Sequence, residues 1–335
     1  MNSRMENGHK LKSYDNGVPD QSGYEKEREK RLYPRIKLSA YLLALRPWSF
    51  NVSLMPVLLG FSLAYKSGVT CNWFGLIITA LTALSVHGAG NVVNTYYDYV
   101  NGIDSKKSDD RTLVDHLLTT KELTFLGVVL YFIGCIGFVI LTAITPIKLV
   151  HLAIVYFGGL SGSFLYTGGI GFKYIALGDV LVLIIFGPIT VLFSYMVQTG
   201  SCNWGTIYYA IPLALNAEAI LHSNNTRDLE ADKKAGIETL AIIIGLTASE
   251  VLYGVFLFAP FTIFIIWGLK YSLWLMLPII TLPEAFSIER HFRTTDKQSV
   301  PKRTAKLNIY MGLLYTVGVF LSDSKSLPFI NEIVT

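Results

Sequence analysis

Apolar residues in this chain run in long blocks and do not alternate with polar ones. The blocks cover about 40–65, 73–98, 122–144, 148–167, 174–199, 204–224, 246–268, 271–290 and 305–322. Most approach the ~20 residues that carry a helix across a ~30 Å hydrocarbon core. A lipid-facing β-barrel would alternate residue by residue, so that architecture is excluded. The pattern predicts an all-α integral membrane protein with nine transmembrane helices. Gly and Pro interrupt several blocks, as they do in membrane helices generally.

The polar remainder refines this picture. Residues 1–37 are polar and carry the charge run EKEREKR at 25–31. Such a segment buries too little apolar surface to fold alone, and is expected to be a disordered tail. Residues 38–322 form the membrane domain, and 323–335 a short C-terminal tail. With nine spans, only Lys66, Lys148, Lys270 and Lys325 of the 28 Lys and Arg fall on one side, Arg46 lies within the first span, and the rest fall on the other side. The positive-inside rule places the rich side, with the N-terminus, in the cytosol. Asn224-Asn225-Thr226 fits the glycosylation pattern but is expected to stay unmodified on that side. Cys71, Cys135 and Cys202 are too far apart in sequence for a metal or redox motif and read as small buried hydrophobes.

Two blocks end unusually. The second closes in NVVNTYYDYVNGID (91–104) and the sixth in HSNNTRDLEADKKAGIE (222–238). Offset by 134 residues, Asn91 falls on Asn225, Asn94 on Asp228, Asp98 on Asp232, and Gly102-Ile103-Asp104 on Gly236-Ile237-Glu238. The spacing i, i+3, i+7 sets three side chains on one helical face. Each helix thus offers a stripe of oxygen ligands at the same membrane side. Two facing acidic stripes repel in a low dielectric unless hard divalent cations intervene. Mg²⁺ takes oxygen ligands and commonly shares them with substrate phosphates. The economical ligand is a diphosphate held by two Mg²⁺ ions, with Asn94, Asp98, Asp228 and Asp232 as metal ligands and Asn91 and Asn225 in supporting positions.

At these residues the chain resembles the UbiA superfamily of membrane prenyltransferases, whose Asp-rich motifs N-x3-D and D-x3-D stand here as Asn94/Asp98 and Asp228/Asp232. RPWSFNVSLMPVLLG (46–60), GGLSGSFLYTGGIGFKYIALGD (158–179) and HSNNTRDLEADKKAGIETLA (222–241) are similar to its menaquinone branch. The resemblance implies nine helices around a central cavity open to lipid. It implies Mg²⁺-dependent transfer of a geranylgeranyl group from geranylgeranyl diphosphate to a naphthoquinol, reduced menadione, giving menaquinone-4 (vitamin K2). It places Tyr166 and Lys173 at the diphosphate. Arg227 is a further candidate phosphate contact. Lys106, Lys107 and Arg111 of loop 105–115 are candidates for steering the anion, Asp104 or Asp110 for supporting the metal, and the loop is a candidate lid. The resemblance further implies endoplasmic reticulum and Golgi membranes with a mitochondrial pool, and an association with HMG-CoA reductase. No nucleic-acid partner is expected.

Rival readings differ in what they require. A cation-coupled transporter would carry its acids near the bilayer midplane, and these sit at one face. A non-catalytic lipid sensor has no need of intact acids in both motifs. A CDP-alcohol phosphotransferase signature is absent. Within the superfamily, 4-hydroxybenzoate, the ubiquinone precursor, is the alternative acceptor, and the fold does not choose between them. His87 and His222 are read as interhelical hydrogen-bonding residues rather than ligands, since Mg²⁺ favours oxygen.

Overall fold

The computed structural model describes residues 37–103, 111–294 and 297–330, and these contain helices and turns but no β-strand. The N-terminal tail, Asp104 and most of the candidate lid lie outside the described residues. The chain divides into two compact units, Met1–Ser39 and Ala40–Thr335. The helices are α1 (37–45), α2 (Asn51–Lys66), α3 (Trp73–Val100), α4 (Thr120–Ile144), α5 (Leu149–Leu165) and α6 (Gly178–Ile184). They continue with α7 (Thr190–Thr199), α8 (Gly205–Lys234), α9 (Leu240–Lys270), α10 (Leu282–Phe292) and α11 (Val300–Leu321).

Five helical stretches among the described residues are long and apolar enough to cross a membrane: α3, α4, Gly178–Thr199, α9 and α11. A sixth arises if Lys37–Ser49 and α2, bent by 51°, make one span. Three predicted blocks fall short for separate reasons. At 17 residues α5 is short. α8 is long, but its last turns carry the polar motif. The block after α9 opens as a 3₁₀ helix, Leu273–Thr281, before α10. On α4, Phe125, Val128, Phe132 and Val139 are exposed, as a lipid-facing surface requires.

Local chemistry sets the helix ends. Asn72 caps α3 by accepting from the Gly75 N–H at 3.1 Å. Thr119 and Glu122 form a reciprocal capping box on α4. The first bend centres on Arg46, with φ +51°, ahead of Pro47. Bending exposes the Leu45 carbonyl, and Asn91 Nδ2 donates to it at 2.8 Å. Within Gly178–Thr199, Pro188 lacks an N–H, and Ile185–Ile189 relaxes into a π turn. A Cβ at Gly187 in that turn would stand 2.5 Å from the Ala214 Cβ, so only glycine allows α8 this close. Buried amides tie the bundle further: Asn51 donates to Asn308 at 2.8 Å, and Asn308 to Asn216 at 3.0 Å, linking α2, α11 and α8. The cysteines are not the buried hydrophobes expected. Cys71 and Cys135 are half-buried and Cys202 is exposed, because Cys202 sits in the turn ahead of α8.

The repeated Gly-Ile has a structural cause. In both copies the glycine takes a left-handed conformation, φ +71° at Gly102 and +74° at Gly236. The following Ile N–H then reaches back to the Asp carbonyl, Ile103 to Asp98 at 2.8 Å and Ile237 to Asp232 at 3.0 Å. The glycine N–H bonds the Tyr99 or Lys233 carbonyl. These are matching Schellman ends, and they stop each helix two residues past the last acid of its motif, Asp98 or Asp232. An added Cβ at either glycine meets no atom within 4 Å, so alanine there strains φ alone. Gly102→Ala and Gly236→Ala should each cost about 1–2 kcal/mol, read as lowered Tm in detergent.

Candidate active site

The polar ends of α3 and α8 carry the two motifs, and the 3₁₀ connector Phe172–Tyr174 joins them. From the connector, Lys173 Nζ donates to Asp98 Oδ2 at 2.7 Å and to Asn94 Oδ1 at 3.3 Å. The Tyr174 hydroxyl donates to Asp98 Oδ1 at 3.0 Å. On its other side the Tyr174 carbonyl accepts from Glu238 N–H at 3.3 Å, and Ile175 makes a single parallel bridge with Glu238 just past α8. One short segment therefore touches the end of each repeat. Asp232 completes the convergence, since it lies within electrostatic reach of Asp98, Asp228, Lys173 and Arg227 together.

Charge is balanced internally. Asp98 is buried and takes the Lys173 ammonium. Asp228 is about one-third exposed and takes both Nε and an Nη of Arg227, at 2.8 and 2.6 Å. Arg227 also donates to Asn224. Asp232 lies beyond the expected span in α8 and has no such close cation. Burial above all pushes its carboxyl up to about 6; Lys173 and Arg227 pull against this, while Asp228 and Asp98 add to it. Asn94, Asp98, Asp228 and Asp232 offer oxygen donors only, the donor set Mg²⁺ prefers. An acid held near 6 by burial is also the group that a divalent cation would relieve.

The other predicted residues take distinct places. Asn225 is buried on α8 one turn before the acids. Asn91 points at the α1 break, bonding the Leu45 carbonyl and Ser49 Oγ. The Tyr166 carbonyl accepts from the Lys173 N–H at 2.8 Å. A Cβ at Gly178 would meet the Tyr166 ring at 3.1 Å and Lys173 Cα at 3.2 Å, so this glycine lets the ring and connector close together. Arg111 pairs with Asp115 at 2.8 Å on an exposed surface. His87 bonds Ser53 at 2.7 Å and Ser49 at 3.2 Å, which is the interhelical role expected.

Tyr174 and Arg46 escaped the sequence reading. Arg46 donates to Thr95, the residue after Asn94, at 3.3 Å. Neither has a counterpart in the repeat, and the repeat was the signal followed. Adjacency to Lys173 was the only hint for Tyr174.

The bundle of apolar helices presents two matched acid motifs beside a Lys and an Arg at one end. The chain belongs to the UbiA prenyltransferase family, whose pattern matches residues 53–314, and its chemistry is prenyl transfer. It is 61% identical over 290 residues to the UbiA prenyltransferase domain-containing protein 1 homolog of Drosophila melanogaster, covering 84% of this chain and 80% of the relative. It is 55% identical to UbiA prenyltransferase domain-containing protein 1 of Homo sapiens, covering 88% and 87%. Its fold is similar to a UbiA homolog from Archaeoglobus fulgidus bound to GPP and Mg²⁺, with TM-score 0.58 and 15% identity over 85% of this chain and 99% of that one. A UbiA homolog from Aeropyrum pernix in its apo form gives TM-score 0.60 at 14% identity, covering 80% and 97%.

Proposed function

We propose that the chain transfers a geranylgeranyl group from geranylgeranyl diphosphate to reduced menadione, yielding menaquinol-4, the two-electron-reduced form of menaquinone-4. The observation that carries this reading is the meeting of Lys173 and Tyr174 with Asp98 on one side and Glu238 on the other, which draws both acid motifs into one site. Asn94, Asp98, Asp228 and Asp232 would together hold two Mg²⁺ ions. Bound there, the ions supply positive charge for the diphosphate as it departs. Lys173 and Arg227, each already on a motif acid, are placed to turn to phosphate oxygens once those acids have another partner. Tyr166 fixes the Lys173 backbone, Asn225 supports the α8 stripe, and Asn91 holds the neighbouring bend. The allylic C–O bond breaks with both electrons leaving on diphosphate. An electron-rich carbon of the quinol ring attacks the allylic cation, and the ring proton passes to the released diphosphate or to water, restoring aromaticity. Asp104 and Arg111 belong to the loop proposed to cover the site and exclude water.

The proposed topology has nine crossings, with the short α5, the polar-ended α8 and the 3₁₀–α10 segment completing those already named. The N-terminus and motifs face the cytosol, in endoplasmic reticulum and Golgi membranes. The test uses microsomes with labelled geranylgeranyl diphosphate and either reduced menadione or 4-hydroxybenzoate. Product is expected with the quinol only, and none in excess chelator. Prenylated 4-hydroxybenzoate would move the assignment to ubiquinone synthesis, and chelator-resistant turnover would end the metal reading.

Asp232 adds a pH prediction. Its carboxyl sits above its ordinary value of 3.8. Its contribution to stability is thus present below about pH 4 and is lost as pH rises through about 6. A divalent cation removes that loss only where the carboxyl is ionised. Mg²⁺ with diphosphate should therefore raise Tm more at about pH 7.5 than at about pH 5, read by thermal unfolding at each pH.

A further inference from the structure

Beneath the site, Asp179 of α6 and Glu218 and His222 of α8 form a cluster that the prenyl-transfer reading does not use. One ligand atom from each lies within 4.8 Å of the others. Glu218 and His222 are fully buried and Asp179 nearly so. The sequence hides the cluster, because 39 residues separate Asp179 from Glu218 within apolar blocks. Spacing i, i+4 stacks Glu218 and His222 on one helix face.

Three features point to a ligand. Neither Glu218 carboxylate oxygen meets a donor group among the described residues, and its carboxyl stands within hydrogen-bonding reach of the Asp179 carboxyl, so two buried acids face each other and need a shared proton or a cation between them. His222 Nε2 faces the Ser249 carbonyl of α9 at 3.2 Å. A carbonyl only accepts, so Nε2 carries the proton, and in neutral His222 the Nδ1 lone pair is free to bind. That Nδ1 points at Asp179 Oδ1, 3.3 Å away. A ring nitrogen aimed at two carboxylates, with the other nitrogen donating to a backbone carbonyl, is the arrangement of a metal-binding histidine. Two carboxylates carry two negative charges, which one divalent ion cancels. The cluster is closed to solvent, so an occupant has to be no larger than a bare ion.

We propose that Asp179, Glu218 and His222 form a dry structural site for a divalent transition-metal ion of the zinc class, separate from the diphosphate site. Nitrogen with two carboxylate oxygens suits zinc better than magnesium. The ion would pin α6 to α8, with the Ser249 contact tying in α9. The occupant competing with it is a proton shared among the same groups, which needs no metal.

The test is zinc content and zinc spectroscopy on full-length, tag-free protein in detergent. Protein incubated with zinc and excess Mg²⁺, then gel-filtered, should retain about one zinc per chain. Asp98→Ala, which leaves this cluster intact, should retain it too. Glu218→Gln and His222→Gln should each weaken zinc binding at least about tenfold. X-ray absorption on the wild-type protein, which needs no variant to fold, should give one imidazole and carboxylate oxygens at about 2.0–2.2 Å. Zinc-free wild-type protein after incubation with zinc, zinc lost with Asp98→Ala, a sulfur-ligated spectrum, or a protonated-carboxyl infrared band that is abolished by Glu218→Gln and persists in the zinc-incubated wild type would each overturn the site. Loss of prenyl transfer in chelator with zinc still bound would leave the two sites distinguished.

Discussion

Asp98→Ala should lower prenyl transfer by about 10²–10³-fold, the usual effect of deleting one preorganised electrostatic partner of a developing charge. Asp98 is the convergence point of the α3 motif: it is buried, and it takes both Lys173 and Tyr174. The loss should fall on kcat more than KM, because the diphosphate keeps its contacts at the α8 motif. Membrane insertion should stay near normal, since the helix end rests on the Asp98 backbone carbonyl and Gly102, but the Lys173 ammonium left without its partner should lower Tm, so rates are compared per folded protein. Labelled donor with quinol in microsomes measures it. A variant that retains even half the wild-type rate would remove Asp98 from the chemistry.

Lys173→Met should destabilise the metal-free protein by about 3–5 kcal/mol, the cost of leaving a buried charge without its partner. The Lys173 and Asp98 side chains are 14% and 6% exposed, so water offers little compensation. Adding Asp98→Asn to Lys173→Met should recover most of that stability and none of the activity. Mg²⁺ with a non-reactive donor analogue should recover stability in Lys173→Met alone, by supplying the missing charge. Thermal unfolding of the three proteins, with and without those ligands, checks both statements. Equal Tm values for wild type and Lys173→Met would show that Asp98 is neutralised by something else.

The acid motifs were legible because the chain carries them twice, and each copy keeps its helix-ending Gly-Ile. Repetition turned a weak pattern into a strong one, and φ at Gly102 and Gly236 explains why glycine recurs there. The spans were less legible, because hydropathy reports composition and not backbone form. It missed the 3₁₀ opening at Leu273–Thr281 and the break in α9 at Gly245, where φ is +78°. Side chains brought together by tertiary packing were the least legible. Tyr174 meets Asp98 from 76 residues away. Glu218 is a lone acid within an apolar block of the sequence, and only the fold sets Asp179 and His222 around it. Asn91 shows the converse: the repeat sets it in line with the acids, but its amide serves the bend at Leu45.

The Lys173 and Arg227 contacts have a consequence for the order of addition. A bare magnesium ion approaching this enzyme has to evict an ammonium from Asp98 and a bidentate guanidinium from Asp228, and it offers neither of them a new anion. A magnesium–pyrophosphate complex offers both at once, since its oxygens receive the displaced side chains as its ions claim the acids. Metal and isoprenoid donor should therefore enter as one escorted unit, and calorimetric titration with magnesium alone should register far weaker uptake than titration with the complex.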